Sequence, residues 1–317
     1  MTKNVLLTGG FGTLGGRLSE LLAQDSEIKL RLASRETRSA PSWAPKAQTI
    51  QVDFERSESI EAMMDGITTV VHLVAMNDYE CRAEPELARQ INTEYTRRLI
   101  DCCKKDTRLI YVSTIQIYGN DLSGIISEHS KPDPKDAYAQ THFDAETLVK
   151  SANNSGKISG ISLRNANGFG APMSRDAKIW QILANDLCRQ IVEKKRMVIK
   201  SHGQHYRNFI TFADVARAIQ HCINMDESTT QGGTFNLSSD YTMKILEMAE
   251  LIASRCEKVL GFRPELQILG QQPAVLPTKF EYDSSKLRST GFTPSTKIED
   301  EIDRLLRSCQ KWFGEAK

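Results

Sequence analysis

The sequence begins with an apolar strand, a glycine-rich turn and a helix in immediate succession. Residues 4–8 read Asn-Val-Leu-Leu-Thr, five of the next eight residues are glycine, and leucines at 14, 18, 21 and 22 follow at helical spacing. Such a turn directs several backbone N–H groups and the positive end of the helix dipole at one point, where glycines let a diphosphate approach the backbone. A single turn of this kind is weak evidence. The rest of the chain must supply a parallel sheet, a ribose contact and reactive side chains.

Strand-like and helical segments alternate through the first half of the chain. Predicted strands cover residues 28–33, 49–54, 69–74, 109–112 and 158–163, and predicted helices cover residues 57–64, 85–105 and 138–151. This alternation predicts an α/β fold with a doubly wound parallel sheet. Beyond residue 170 the regular alternation ends, which indicates a smaller region of mixed structure.

Composition and charge exclude several classes of function. The 317 residues carry a formal net charge of +1, so no strong field favours nucleic acid or an anionic membrane. No apolar run approaches the roughly 18 residues that span a bilayer, and no leader precedes the first strand, so we expect a cytoplasmic protein. Seven scattered cysteines predict reduced thiols. His202 and His205 lack a third ligand nearby in sequence, so no metal site is expected.

Polar residues at the predicted strand ends mark a binding edge. Ser34 and Arg35 follow the second strand about 20 residues after the glycines, where an acidic residue would bind ribose hydroxyls and arginine suits a 2′-phosphate. Their sequence favours NADP, although Arg35 could also be an ordinary surface residue. Ser113 and Thr114 end a central strand, at the edge where open α/β sheets bind ligands. His72, within an apolar run, is interpreted as a core histidine.

In this order the motifs resemble those of the extended short-chain dehydrogenases/reductases, the nucleotide-sugar epimerase and dehydratase group typified by UDP-glucose 4-epimerase. Residues 8–15 match the Thr-Gly-x-x-Gly-x-x-Gly turn, and residues 109–119 resemble the strand that ends in a catalytic Ser/Thr and a Tyr-Gly pair. Tyr138 matches the tyrosine of Tyr-x-x-x-Lys. Residues 163–170 and 206–210 resemble the Leu-Arg-x-x-Asn-x-x-Gly and Arg-Asp-Phe segments, and the resemblance covers nearly the whole chain.

The resemblance implies a domain organisation and a set of partners. It implies a Rossmann-type dinucleotide-binding domain over residues 1–165, with a returning segment near 206–238, and a smaller mixed C-terminal substrate-binding domain formed by residues 166–205 and 239–317. The expected cofactor is NADP, with NAD possible, and the expected substrate is a nucleotide-linked sugar. Family members commonly pair two helices across a two-fold axis, which implies a homodimer through the helices at 85–105 and 138–151.

The resemblance also assigns roles to individual residues. The implied catalytic residues are Tyr138, Thr114 and His142. The implied substrate contacts are Thr114, Asn167 and Arg207, the arginine holding a diphosphate. The implied cofactor contacts are Gly9, Phe11, Gly12, Thr13, Leu14, Gly15, Ser34, Arg35, Asp53, Phe54, Leu73, Val74, Ala75, Asn92, Ser113, Tyr138, His142 and Ala166.

His142 is the main departure from the family pattern, because it occupies the position of the motif's lysine. A neutral imidazole can hydrogen-bond to a ribose hydroxyl but supplies no permanent cation to lower the pKa of Tyr138. Reduction is affected less than oxidation, since Tyr138 then starts as the neutral acid. The departure favours NADPH-dependent ketone reduction over epimerisation, which needs both directions.

Three functions remain open from the sequence. The first is an enzyme that acts on a nucleotide-linked sugar, as reductase or epimerase. The second is a related reductase whose substrate carries no nucleotide, against which Arg207 argues through the resemblance. The third is a catalytically weak or inactive NAD(P)-binding protein with a regulatory or scaffolding role.

Overall fold

The computed structural model describes residues 2–226 and 233–314. Residues 227–232, within the predicted returning segment, and residues 315–317 lie outside the described residues. The strands are β1 (Lys3–Thr8), β2 (Ile28–Ser34), β3 (Gln48–Gln51), β4 (Thr69–His72), β5 (Thr107–Thr114), β6 (Gly124–Ile126), β7 (Ile158–Asn165), β8 (Asn167–Phe169), β9 (Arg196–Ile199), β10 (Tyr206–Thr211), β11 (Thr234–Leu237), β12 (Thr242–Lys244), β13 (Glu265–Ile268) and β14 (Phe280–Tyr282).

The helices surround these strands. They are α1 (Thr13–Leu22), α2 (Ser57–Met64), α3 (Asp78–Ala83), α4 (Pro85–Ala88), α5 (Tyr95–Asp101), α6 (Ala137–Asn154), α7 (Leu183–Lys194), α8 (Phe212–Asn224), α9 (Ile245–Leu260), α10 (Ser285–Arg288) and α11 (Ile298–Phe313). A π-helical turn (Arg89–Glu94) joins α4 to α5, and a 3₁₀ turn (Ile115–Tyr118) follows β5.

Seven strands form one sheet in the order β11-β7-β5-β4-β1-β2-β3, and each neighbouring pair is parallel. The order reverses at β1, so a crevice opens beyond the carboxyl ends of β1 and β4, where such sheets bind ligands. The register aligns these ends: Thr8 pairs with His72, and Thr114 pairs with Asn165. The predicted Rossmann-type fold is confirmed.

Alternating apolar side chains bury both faces of the sheet, as strand geometry requires. On β1, Val5 and Leu7 belong to the cluster that packs with α1 and α8, whereas Leu6 belongs to the opposite cluster, with residues of α2, α5 and α6. All three side chains are fully buried. The packed sheet therefore holds the residues at its carboxyl edge in fixed positions.

A separate apolar core forms around the later helices. Leu187 on α7, Ile252 on α9 and Ile302 on α11 pack together, with Phe169 and Phe209 from β8 and β10. A buried ion pair joins this core to the sheet region, because Arg17 of α1 binds Glu301 of α11, with Nη1 and Oε1 2.6 Å apart. The boundaries proposed from the sequence, residues 1–165 against 166–205 and 239–317, stay a prediction.

Several predicted elements differ from those of the structure. The predicted strands 49–54 and 69–74 are shorter, ending at Gln51 and His72, and the predicted helix at 85–105 is interrupted by the π-helical turn. The structure adds α3, which the sequence analysis did not predict and which begins with a capping box between Asn77 and Glu80.

No helix in the described part of the chain is long and apolar enough to cross a bilayer. The cysteines carry free thiols, and six of the seven are buried.

Candidate active site

A cavity of about 750 Å³ lies at the carboxyl edge of the sheet, between the sheet and the second core. The glycine turn, the ends of β4, β5 and β7, and the start of α6 form one side of it. Residues 178–184 and Arg207 form the other side. Fifteen of the residues implied as site residues line it: Gly9, Gly12, Thr13, Leu14, Gly15, Leu73, Val74, Ala75, Ser113, Thr114, Tyr138, His142, Ala166, Asn167 and Arg207.

The glycine turn is tight enough that two of its positions exclude a side chain. Gly9 has φ +75° and lies against the backbone of Leu73, and a Cβ on Gly15 would collide with the carbonyl oxygen of Gly9. Helix α1 then begins at Thr13 with Gly12 as its N-cap, which supplies no capping side chain. The first N–H groups of α1 therefore face the cavity without a side-chain acceptor, the arrangement that binds a diphosphate.

Tyr138 enters the cavity from the first turn of α6. Asp136 caps this helix by accepting a hydrogen bond from Ala139 N at 2.9 Å, which fixes where α6 begins. Thr114, at the end of β5, also lines the cavity and lies near the Tyr138 hydroxyl. Burial raises the pKa of Tyr138 to about 12; Thr114 lowers it and the nearby Asp78 and Asp136 carboxylates raise it. At neutral pH Tyr138 is a phenol.

His142 lies one helical turn beyond Tyr138, with its ring centroid 4.5 Å from that of Tyr138. It is 4% exposed, and its Nδ1 lies 2.8 Å from the hydroxyl of Tyr111 on β5. Burial lowers the pKa of His142 to about 4, so the ring is neutral at physiological pH. The position that carries a lysine in the family motif is thus uncharged.

Unpartnered polar atoms concentrate at this cavity. Among the described residues, four buried side-chain polar atoms lack a hydrogen-bond partner, and three of them belong to residues that line the cavity: Ser113 Oγ, His142 Nε2 and Asn165 Oδ1. Buried polar groups are normally partnered, so their concentration here indicates a polar ligand. With the side-chain-free turn at Gly9 and Gly15, which suits a diphosphate, these residues fit a dinucleotide.

Four basic residues are among those that line the cavity. They are Arg82, Lys178, Lys200 and Arg207, of which Arg82 is paired with Asp78 and Lys178 with Glu80. Arg207 is half-buried, donates from Nη1 to the carbonyl oxygen of Tyr206 at 3.0 Å, and has its pKa lowered by burial. A desolvated guanidinium gains from an anionic partner, so the part of the cavity beside Arg207 suits a ligand with phosphate or carboxylate groups.

Several implied cofactor residues lie outside the cavity, near the carboxyl ends of β2 and β3. Ser34 is the last residue of β2 and Arg35 follows it, and Arg38 places its guanidinium carbon 5.1 Å from the ring centroid of Phe11 in the glycine turn. Asp53 is exposed, but the side chain of Phe54 is buried and stacks on Tyr95 with centroids 5.0 Å apart. Phe54 can therefore contact a ligand only through its backbone.

Asn92 is buried and is not among the residues that line the cavity, so its implied role as a cofactor contact stays a prediction. It is 1% exposed; its Oδ1 accepts from Met76 N at 2.7 Å, and its Nδ2 donates to Thr141 Oγ1 at 2.9 Å. These bonds tie the segment after β4 to α6 through the π-helical turn. Asn92 thus positions two walls of the cavity from behind.

His72 behaves as the sequence predicts for a core histidine. It is 1% exposed, and its two ring nitrogens lie 2.7 Å from Thr8 Oγ1 and 3.1 Å from Thr96 Oγ1.

The His202 and His205 rings are 4.6 Å apart, and the described residues contain no group of three or more side chains able to hold a metal ion.

Two features of the site were missed by sequence reasoning. Tyr111 shares a face of β5 with Ser113, two residues on, and this period of two could have singled it out. Lys178 binds Glu80 of α3 with Nζ and Oε1 2.6 Å apart, joining the two sides of the cavity. No local sequence pattern connects residues so far apart in the chain.

Comparisons with known proteins agree with this geometry. A model of the NAD dependent epimerase/dehydratase family matches residues 5–238. The low-salt glycan biosynthesis protein Agl12 of Haloferax volcanii is 22% identical over 312 residues, covering 95% of this chain and 96% of that protein. The dTDP-D-glucose 4,6-dehydratase of Mus musculus is 23% identical over 328 residues, covering 98% and 90%.

Solved structures share the fold. The UDP-glucuronic acid 4-epimerase from Bacillus cereus, in complex with UDP-glucuronic acid and NAD, superposes with a TM-score of 0.79 at 20% identity, covering 97% of this chain and 99% of that one. The family match extends from β1 through the cavity wall to β11. On this evidence the chain belongs to the NAD-dependent epimerase/dehydratase family.

Proposed function

We propose that this protein is an NADPH-dependent reductase of a keto group on a nucleotide-linked sugar. The observation that carries the direction of the reaction is the pairing of Tyr138 with a neutral His142. Tyr138, with a pKa of about 12, holds its proton at neutral pH, and no cationic side chain occupies position 142 to make it a base. A group in this state is ready to protonate an alkoxide and poorly suited to removing a proton from an alcohol.

The residues around the cavity have distinct roles in this proposal. A bound nicotinamide dinucleotide supplies the hydride. Tyr138 donates its proton to the substrate oxygen that becomes a hydroxyl, and Thr114, which lies near Tyr138 in the same cavity, orients that oxygen. The N-terminus of α1 binds the cofactor diphosphate.

The substrate class rests on the basic residues of the cavity and on the relatives. Lys200 and Arg207 line the cavity, and a sugar nucleotide brings a diphosphate to such a site. The Mus musculus relative is named for a dTDP-sugar and the Bacillus cereus structure for a UDP-sugar. Arg207 therefore argues for a substrate with a nucleotide and against a neutral keto compound.

The choice of NADP rests on arginines near the end of β2. Arg35 follows Ser34 without an acidic residue at either position, and Arg38, stacked on Phe11, brings a second guanidinium to the same edge of the glycine turn. Two cations here suit a 2′-phosphate, whereas NAD requires an acceptor for its ribose hydroxyls. Because the Bacillus cereus structure contains NAD, this preference needs a direct test.

The first experiment measures binding of NAD, NADH, NADP and NADPH by calorimetry. NADPH is expected to bind most tightly, and Arg35→Ala should reduce the preference for NADPH over NADH. Arg196→Ala, which removes an exposed arginine on β9, is the matched control. Tighter binding of NAD than of NADP would overturn the NADP assignment, and no binding of any of the four would overturn the enzyme proposal.

The second experiment follows oxidation of NADPH with UDP-, dTDP-, GDP- and CDP-linked 4-keto sugars. Turnover should require the nucleotide, fall sharply in Tyr138→Phe, and weaken through KM in Arg207→Ala. Cofactor binding by Tyr138→Phe separates lost chemistry from a lost fold. Equal turnover of keto sugars with and without the nucleotide would contradict the assigned substrate class.

Two other functions within the same fold remain distinguishable. An epimerase would interconvert two nucleotide sugars without net change in the cofactor, so product analysis with catalytic cofactor detects it. A catalytically weak or inactive NAD(P)-binding protein with a regulatory or scaffolding role is favoured by the high pKa of Tyr138. That protein would bind cofactor tightly and show no turnover with any of the sugars.

Assembly and location are further parts of the proposal. We propose a homodimer through the helices at 85–105 and 138–151, of which α5 and α6 are the main helical parts in the structure. Light scattering of the purified protein should give twice the mass of 35.6 kDa. The free cysteines suit a reducing compartment such as the cytoplasm.

A further inference from the structure

Tyr111 also lines the cavity, and its hydroxyl is hydrogen-bonded to the ring of His142. Tyr111 is 2% exposed, and its hydroxyl lies 2.8 Å from His142 Nδ1. Among the described residues, His142 is the one hydrogen-bond partner of the Tyr111 hydroxyl. The other ring nitrogen of His142, Nε2, is buried and has no hydrogen-bond partner among the residues that the structure describes.

The position of the protons follows from this pairing. A buried phenol needs an acceptor for its O–H, and burial raises the pKa of Tyr111 well above its usual value, so the proton stays on the phenol. If Nδ1 carried the ring hydrogen instead, the Tyr111 O–H would be left unpartnered, at a cost of about 1–3 kcal/mol. Tyr111 therefore donates to Nδ1, and the single hydrogen of the neutral imidazole lies on Nε2.

We infer that Tyr111 is a positioning residue that holds His142 as the Nε2–H tautomer, so that His142 presents an N–H donor to a hydroxyl oxygen of the ligand in the cavity. The identity of this ligand rests on the proposed function, in which His142 faces the nicotinamide ribose. The tautomer itself follows from the protein alone.

This arrangement separates two tasks that an ammonium group would perform together. His142 donates one directed hydrogen bond and adds no positive charge beside Tyr138. Its Nε2 is already protonated and its Nδ1 already accepts from Tyr111, so neutral His142 has no free site for another proton. In this tautomer His142 can therefore pass its Nε2 proton on only if Nδ1 takes the proton of Tyr111 at the same time.

The tautomer can be measured without any ligand. In protein labelled with ¹⁵N-histidine, two-bond ¹H–¹⁵N correlations distinguish the two neutral tautomers, and His142→Gln assigns the His142 signals. The wild-type protein should show the Nε2–H pattern, and Tyr111→Phe should shift it towards a mixture or the Nδ1–H form. Tyr95→Phe removes a hydroxyl elsewhere in the same apolar cluster and should leave the His142 signals unchanged.

Binding tests whether Tyr111 acts through His142. Tyr111→Phe should weaken NADPH binding by about threefold to tenfold, the usual range for one hydrogen bond. In the His142→Gln background the same substitution should change the dissociation constant by less than about twofold, because the group that Tyr111 orients is gone. A merely structural role of Tyr111 would weaken binding equally in both backgrounds.

The possible failures are distinguishable. An Nδ1–H pattern in the wild type, or a tautomer unaffected by Tyr111→Phe, overturns the inference whatever the cavity binds. A wild-type protein that shows the Nε2–H pattern but binds none of the four dinucleotides overturns the proposed function and keeps the tautomer assignment. Equal loss of NADPH affinity in both backgrounds overturns the positioning role.

Discussion

Replacing His142 with lysine tests whether the missing charge limits Tyr138. The two rings are 4.5 Å apart at their centroids, and His142 occupies the face of α6 that follows Tyr138 by one turn. A lysine there would bring an ammonium group close to the phenol oxygen. Because an adjacent cation favours the phenolate, His142→Lys should lower the pKa of Tyr138.

The size of the shift can be worked from this spacing. A unit charge on the order of 5 Å from the phenolate oxygen, at an effective dielectric constant of about 20, contributes about 3 kcal/mol. That energy corresponds to roughly 2 pKa units, and it would move the pKa of Tyr138 from about 12 to roughly 10. At neutral pH the phenolate fraction would rise on the order of a hundredfold.

Two measurements follow the shift. The ultraviolet difference spectrum between each protein and its Tyr138→Phe counterpart reports ionisation of Tyr138 directly. In the reductive direction, kcat/KM should begin to fall at a pH about 2 units lower in His142→Lys than in the wild type, because the acid is lost earlier. In the oxidative direction at neutral pH, His142→Lys should be faster.

His142→Gln is the control, since it removes the imidazole without adding charge. Its Tyr138 titration should stay near that of the wild type, within about half a pKa unit. An unchanged Tyr138 titration in a folded, cofactor-binding His142→Lys protein would refute the charge argument. Unchanged kcat and KM of His142→Lys, relative to the wild type, on a substrate that the enzyme turns over would also refute the charge argument.

Three other perturbations have defined outcomes. His72 and His142 are buried, and their pKa values of about 4 lie below the 6.5 of an unfolded histidine. Because the folded state then binds fewer protons than the unfolded state, the free energy of unfolding should fall by roughly 3 kcal/mol per histidine as the pH falls from 6.5 to about 4. Urea denaturation at a series of pH values measures this loss. Arg17→Met leaves the carboxylate of Glu301 buried without its cation and should cost about 3–5 kcal/mol of unfolding free energy. Gly15→Ala places a Cβ against the Gly9 carbonyl and should abolish dinucleotide binding by calorimetry.

Each of these has its own control. His129→Gln changes an exposed histidine and should leave the pH dependence of stability unchanged, whereas His72→Gln should reduce it. Arg304→Ala removes an exposed ion pair with Glu20 and should change stability by less than about 1 kcal/mol. Wild-type affinity for a dinucleotide in Gly15→Ala would show that the glycine turn does not hold the diphosphate.

The features that the sequence predicts correctly depend on local patterns. The strand, turn and helix of residues 4–16 are written in apolar spacing and glycines, and Tyr138 and His142 share a face because residues four apart on a helix must. Residue spacing could not show that the side chain of Phe54 is buried in the core. An apolar residue at the end of a strand can pack in the core or contact a ligand.

The remaining features depend on contacts between distant segments. The π-helical turn forms where the amide of Asn92 bonds to Met76 on one side and Thr141 on the other, so a uniform helix was the natural prediction for residues 85–105. The partner of His142 is on a strand 31 residues earlier, and the choice of that partner sets its tautomer. Tertiary hydrogen bonds of this kind have no signature in residue periodicity.

The bridge between Lys178 and Glu80 bears on whether the dinucleotide is a co-substrate or a permanently held prosthetic group. Lys178 is largely exposed, and its partner belongs to α3 on the opposite side of the cavity. A reductase must release spent cofactor in every catalytic cycle, so the bridge would open and close with each turnover. An epimerase regenerates its cofactor in place and could keep the bridge closed. Salt screens an exposed ion pair. In a reductase, the ionic strength of the medium should therefore change the rate of cofactor exchange. In an epimerase, it should leave the turnover rate nearly unaffected.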